Sequence, residues 1–129
     1  MSKKQTISSD KAPKAIGPYS VATKYGNLIF TAGQLGVEPG TGEFVPGGVV
    51  EETRQALRNL SSVLEAAGSS LEMVLKTTVF LKDMNEFTLM NGAYNEFFTQ
   101  NFPARSAVQV AALPKNGAVE IEAVAIIED

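Results

Sequence analysis

In the segment FPARSAVQVAALPKNGAVEIEAVA, Phe102 to Ala125, one guanidinium and two carboxylates interrupt short apolar strands around a turn. They belong to Arg105, Glu120 and Glu122. A planar guanidinium fork can bind a carboxylate through two parallel hydrogen bonds. A carboxylate moved into an apolar face has a raised pKa unless it is partnered, and such a group can take and return protons. Together these residue types suit a site that holds a small anion and activates water. The same charges also suit solvated strand edges, where an arginine snorkels and a glutamate meets solvent.

Strand periodicity sorts these groups onto faces. In an extended ARSAVQV, Arg105, Ala107 and Gln109 share one face, and Ser106, Val108 and Val110 take the other. In VEIEAVAI, Glu120 and Glu122 share a face with Val124 and Ile126. If the two strands formed a hairpin turning at Lys115-Asn116, Arg105 would oppose Ile126. Glu120 would then lie ~20 Å from that point at ~3.3 Å per residue. A joint role for Arg105 and Glu120 therefore requires a different strand order, or a meeting across a subunit boundary.

Composition narrows the chemistry further. The 129 residues suit one domain, 1–129, able to bury a core, and 44% hydrophobic with 19% charged residues is a globular composition. There is no cysteine and no histidine. Thiolate nucleophiles, disulfides, Ser-His-Asp chemistry and Cys- or His-bound metals are thereby excluded. Catalysis must use carboxylates, Tyr, Lys, Arg, hydroxyls or backbone groups. The net charge is −3, without a Lys/Arg cluster, so nucleic acid is not the expected partner. The N-terminal MSKKQTISSDKAPKAIG has no apolar signal region, and no run approaches the ~18 apolar residues of a membrane span. A cytoplasmic protein without a membrane partner is expected.

The surrounding elements must position these groups. KQTIS, Lys4 to Ser8, reads as a first strand, and KAPKAIGPYS as a loop. VATKY and LIFTA flank Gly26-Asn27, a hairpin signal. GQLGVEPGTGEFVPGG reads as a long connection, lacking the Lys-Ser/Thr ending and the glycine spacing of a phosphate cradle. From Val49 to Ala67 the residues Val49, Thr53, Ala56, Leu57, Leu60, Val63, Leu64 and Ala67 form one helical stripe. Glu51 and Glu52 favour its start, and Gly68 its stop. VLKTTVFLK, Val74 to Lys82, reads as a strand, and a second helix is expected from about Glu86 to Phe98. Phe87, Met90, Tyr94, Phe97 and Phe98 share its apolar face, and Asn91 falls on that face, where a buried amide needs a partner. A structural bond to a nearby loop would satisfy it as well as a ligand would.

The order β, β, β, α, β, α, β, β predicts an α/β (α+β) two-layer sandwich, a six-stranded mixed sheet with two helices on one face. Leu28, Phe30, Val79, Leu81, Val108 and Val110 cannot all lie under two helices. The uncovered apolar face predicts an oligomer.

AIGPYSVA, TAGQLG, TTVFLKDMNEF, NFPARSAVQVAALPKN and VEIEAVAI, in this order and spacing, resemble the RidA/YjgF family of reactive intermediate deaminases. The resemblance runs from the first strand to the last. It implies a chorismate-mutase-like fold, a homotrimer with sites in intersubunit clefts, and no cofactor. The implied reaction is hydrolysis of 2-imino acids or their enamine tautomers, such as 2-iminobutanoate and 2-iminopropanoate, to 2-keto acids and ammonia. Arg105, in the P-A-R-S match, would clamp the substrate carboxylate. Glu120, the first acid of E-I-E-A, would hold and polarise water. Tyr19, in G-P-Y, would wall the pocket from the neighbouring chain. Gly33, in A-G-Q, would lend backbone groups at close approach. Asn91 would support the site. Many members carry cysteine where this chain has Ala107, so any contribution from that position must come from its backbone N–H.

The implied reaction agrees with the residues present. A protonated imine is already electrophilic, so water attack needs positioning and modest proton handling, and positioning alone is worth several kcal/mol. A second reading from another class is a trimeric module that holds small carboxylates such as 2-ketobutyrate without turnover. A third, an RNA-acting role, sits poorly with the acidic charge.

Overall fold

A computed structural model describes residues 3–128. The chain runs β1 (Gln5–Ile7), β2 (Ala22–Tyr25), β3 (Leu28–Thr31), β4 (Gln34–Leu35), α1 (Gly48–Ala66), β5 (Val74–Leu81), α2 (Phe87–Tyr94), β6 (Ala104–Gln109) and β7 (Val119–Ile126). The sheet order is β1-β2-β3-β7-β5-β6, with β4 also paired to β7. β5 and β6 are parallel, joined through α2, and the other pairings are antiparallel. The six expected strands form this path; the two-residue β4 makes a seventh.

Both helices lie on one face, and the core between the layers follows from periodicity. Every residue of the expected α1 stripe is buried. The helix ends where Gly68 takes φ +89°, and the N–H groups of Gly68 and Ser69 return to the carbonyls of Glu65 and Leu64. On β7, Val119, Ile121, Ala123 and Ala125 alternate under the helices. Each fully buried aliphatic side chain contributes roughly 1.5–3 kcal/mol through removal from water.

Two expectations about elements change. The segment after Gly33 is not plain connection, because Gln34 and Leu35 pair with Ile121 and Glu120. Phe30 pairs with Val124, so four residues on one strand span three on β7, and a bulge lies at Ala32–Gly33. The N–H of Ala123 accordingly donates to Thr31 Oγ1, at 3.0 Å, instead of to a backbone carbonyl. Helix α2 stops at Tyr94, four residues before the expected Phe98. Its chain continues as a tightened turn in which Glu96 and Phe97 N–H groups donate to the carbonyls of Ala93 and Tyr94.

The uncovered face also differs from expectation. Val79 and Leu81 point under the helices and are fully buried. Phe30 and Val108 remain on the other face, 46% and 44% exposed. The expectation misassigned β5, a strand with apolar or β-branched residues on both faces, whose facing pattern alone does not say which set is inward.

Asn59, on α1, is a buried polar residue that holds the irregular segment in place. Its Nδ2 donates to the carbonyls of Leu35 and Val37 at 3.1 and 2.9 Å, and its Oδ1 accepts from Gln55. Asn59→Ala leaves both carbonyls without these donors and should cost about 1–3 kcal/mol, measured by denaturant unfolding. A loss within a few tenths of a kcal/mol would show that the tether contributes nothing.

Candidate functional site

Arg105 lies on the helix-facing side of edge strand β6, paired with Thr77 of β5. Its Nη1 donates to Asn91 Oδ1 at 2.8 Å. Its guanidinium carbon sits 4.8 Å from the Tyr94 ring centre and 5.5 Å from that of Phe87. Cation–π attraction therefore supplies part of what a counter-ion would. Among the described residues both ion pairs belong to Arg54, which bridges Glu51 on its own helix to Glu96 beyond α2. Arg105 is thus a half-buried cation held by neutral groups, with other N–H donors not engaged within the described chain. It opens on a cavity of about 580 Å³ shared with Asn91, Gly92, Tyr94, Asn95, Phe102 and Pro103.

Glu120 occupies a second cavity, of about 570 Å³, together with Tyr19, Gly33, Ile16, Lys14 and Lys115. Burial, and secondarily the charge of Glu122, raises its pKa above the ordinary 4.5. The bulge explains its seat. A Cβ built on Gly33 would fall 2.7 Å from Glu120 Cδ and 3.0 Å from Oε2, so the missing side chain makes the space that the carboxyl group fills. Tyr19, 49% exposed, rims the same cavity, and its hydroxyl accepts from the Ile16 N–H at 3.4 Å.

The two groups do not meet within one chain. Thr77, opposite Arg105, points under the helices, whereas Phe80, opposite Glu120, points to the open face. Arg105 and Glu120 therefore lie on opposite faces of the sheet. Their registers on β5 are about 10 Å apart along the strand, and β5 itself separates β6 from β7. The hairpin that would join β6 to β7 does not form, although Lys115 and Asn116 do turn the chain with φ of 55° and 62°.

Of the six residues singled out in the sequence, the structure places Arg105 with Asn91, and Glu120 with Gly33 and Tyr19. Ala107 lines neither cavity and packs against the core two residues beyond Arg105. The aromatic faces of Phe87 and Tyr94 were legible only as core positions of an amphipathic helix. Nothing in their spacing marked them as a seat for a cation. Among the described residues no group of three or more His, Cys, Asp or Glu side chains is placed to hold a metal ion. No helix among them is long and apolar enough to cross a membrane.

The raised pKa of Glu120 has a consequence for stability. An acid whose folded pKa exceeds its unfolded one favours folding while protonated, and its ionisation costs stability as pH rises past the ordinary value. Glu120→Gln should therefore stabilise the fold at neutral pH and lose that advantage below pH ~4. The gain should stay under about 1 kcal/mol because the group is partly solvated. Thermal midpoints across pH check this, and an equal effect at both ends would exclude a titrating origin. Gly33→Ala should unseat the carboxyl at small cost to the fold, under about 1 kcal/mol. A carbon-13 titration of the Glu120 carboxyl should then move toward 4.5; an unmoved titration would mean that the seat does not depend on Gly33.

Known proteins share both sequence and fold with this chain. Residues 9–127 match the family described as endoribonuclease L-PSP. A goat (Capra hircus) protein named 2-iminobutanoate/2-iminopropanoate deaminase is 53% identical over 95% of this chain and 90% of its own. The solved structure of RidA from an Antarctic Psychrobacter superposes with a TM-score of 0.92 at 46% identity, covering 95% of this chain and 99% of that one. The E. coli protein TdcF, solved with bound serine, gives 0.91 at 42% identity over 96% and 99%. The fold and this degree of identity agree, and the chain belongs to the RidA/YjgF family, matched under the description endoribonuclease L-PSP.

Proposed function

We propose that this chain is a cofactor-free deaminase that hydrolyses 2-imino acids such as 2-iminobutanoate and 2-iminopropanoate to 2-keto acids and ammonia. The observation that carries this reading is Arg105: a half-buried guanidinium with neutral partners and no carboxylate bound to it within the described chain. Such a group is a receptor for a small carboxylate. The relatives named for this reaction support it.

The chemistry follows from the residues. Arg105 holds the substrate carboxylate, with Asn91 fixing one edge of the fork. The substrate enters as the protonated imine; Glu120, ionised, accepts a hydrogen bond from water and takes its proton as the oxygen adds to the imine carbon and the C=N electron pair moves onto nitrogen. The resulting carbinolamine carries hydroxyl and amine on one carbon. Glu120 returns the proton to nitrogen, ammonia leaves with the C–N electron pair, and the hydroxyl proton passes to the again ionised Glu120 as the keto group forms. A pKa above the ordinary carboxylate range suits both halves of this transfer. The backbone at Gly33 lines the approach to Glu120, and Tyr19 walls it.

Because Arg105 and Glu120 open on different faces, one cleft must take them from two subunits. We assign a homotrimer with its sites between neighbours, the exposed Phe30 and Val108 lying on the face that assembly covers. The bound serine of TdcF favours a second reading, a carboxylate-binding module without turnover. The endoribonuclease of the family description has less support here, since the chain has no histidine and a net charge of −3.

Release of 2-ketobutyrate from freshly generated 2-iminobutanoate, with semicarbazide as competing trap, tests the reading. Wild-type protein should accelerate it. Arg105→Ala and Glu120→Gln should each lose at least about 100-fold. Mixed and reassembled, the two inactive variants should regain activity, because random assembly in a ring leaves about one cleft in four with both groups. Failure to regain activity would place both groups outside a shared intersubunit site. Absence of wild-type turnover with calorimetric binding of 2-ketobutyrate would establish the binding module instead.

A further inference from the structure

Arg105 stands on an edge strand, bonded on one side only, to β5. Its long side chain must lose several rotations before it can present a fork to a carboxylate. One hydrogen bond, to Asn91, constrains one nitrogen and leaves the plane of the group to be set by something else. The ring of Tyr94 is the nearer of the two aromatic faces, at 4.8 Å. That ring is itself fixed on two sides. Its hydroxyl shares a 2.8 Å hydrogen bond with Thr77 Oγ1, and its other neighbour is Phe98, with ring centres 4.7 Å apart. Thr77 is fully buried, and it is the residue paired with Arg105 across the parallel register. Thr77, Tyr94 and Arg105 thus form a closed path: strand to helix by hydrogen bond, helix to neighbouring strand by ring face, and strand to strand by the backbone ladder.

We infer that Tyr94 and Thr77 are positioning residues for Arg105, holding the guanidinium plane so that its unengaged donors face the cavity rimmed by Asn95, Phe102 and Pro103. This rests on the reading of Arg105 as the carboxylate clamp. Thr77 does not line this cavity, and Tyr94 borders it with the ring that carries the guanidinium. Their effect passes through the ring: without the Thr77 bond Tyr94 can tilt, and without the ring the guanidinium can swing off its one bond to Asn91. A phenylalanine at position 94 would keep the face and lose the tether, and a leucine would lose both.

The test uses nitrogen-15 relaxation of the Arg105 Nε–H in the assembled protein, with steady-state kinetics on 2-iminobutanoate and a thermal midpoint as the folding control. Thr77→Val and Tyr94→Phe should each lower the order of the Arg105 Nε–H. They should raise KM about 3- to 10-fold with kcat kept within about twofold, the size expected for one net hydrogen bond. Tyr94→Leu should lower the order further. The double variant Thr77→Val/Tyr94→Phe should match either single one, because both remove the same bond. Thr77→Ser, which keeps the hydroxyl, should restore wild-type values. An Arg105 signal equally ordered in Tyr94→Leu, or a KM unmoved in all variants, would overturn the inference. If the wild type hydrolyses no imine, the deaminase reading fails alone, and the order of Arg105 in the same variants still decides the positioning role.

Discussion

The alternation of β7 is the constraint on which the rest of the structure depends. Val119, Ile121, Ala123 and Ala125 are almost wholly buried, and Glu120, Glu122, Val124 and Ile126 take the opposite face. A slip of one residue would drive two carboxylates into the core, at several kcal/mol each, and expel four apolar side chains. β7 therefore has one permitted register, and it is the strand against which β3, β4 and β5 all pair. Its partners inherit their facing from it. The acidic side chains reach the open face because the apolar ones are claimed by the helices.

The bulge at Ala32–Gly33 adds a local exception that the acid uses. It lets the chain pair twice with β7, first through β3 and then, after a one-residue shift, through β4. The shift reverses the facing, so that Phe30 lies on the open side while Gln34 is buried. At the shift itself the backbone carries no side chain, and the Glu120 carboxyl takes the space. The same feature that accommodates two registers thus partly desolvates an acid and raises its pKa. Asn59 stabilises the far end of this irregular run through the carbonyls of Leu35 and Val37.

The basic half is organised on the other principle, neutral partners around a charge. A guanidinium is weakly hydrated and tolerates aromatic faces, so Phe87 and Tyr94 can cover it without an acid to neutralise it. Arg54 offers the contrast within the same molecule. It is saturated by Glu51 and Glu96, and it joins α1 to the turn after α2. One arginine is a clasp between elements. The other is left able to bind something from outside.

Much of this was readable in the residues. Period-two alternation assigned the faces of β6 and β7, and the α1 stripe, its Gly68 stop and the Gly26-Asn27 hairpin all follow from local rules about backbone and burial. Arg105, Glu120 and Asn91 stood out as charges and an amide on otherwise apolar faces. What lay beyond the sequence was non-local. The two-residue β4 is too short to show a period and exists only through its pairing with β7. The inward facing of Val79 and Leu81 was set by β7 and the helices, since either face of β5 would suit a core. Tyr94 and Phe87 read as helix-core positions, and only the parallel pairing of β5 with β6 brings the guanidinium over them. Local chemistry, in short-range spacing, determined which groups the chain carries and which of them share a face within a strand; the long-range order of strands, which no local period encodes, decided that the arginine and the glutamate open on opposite sides of one sheet.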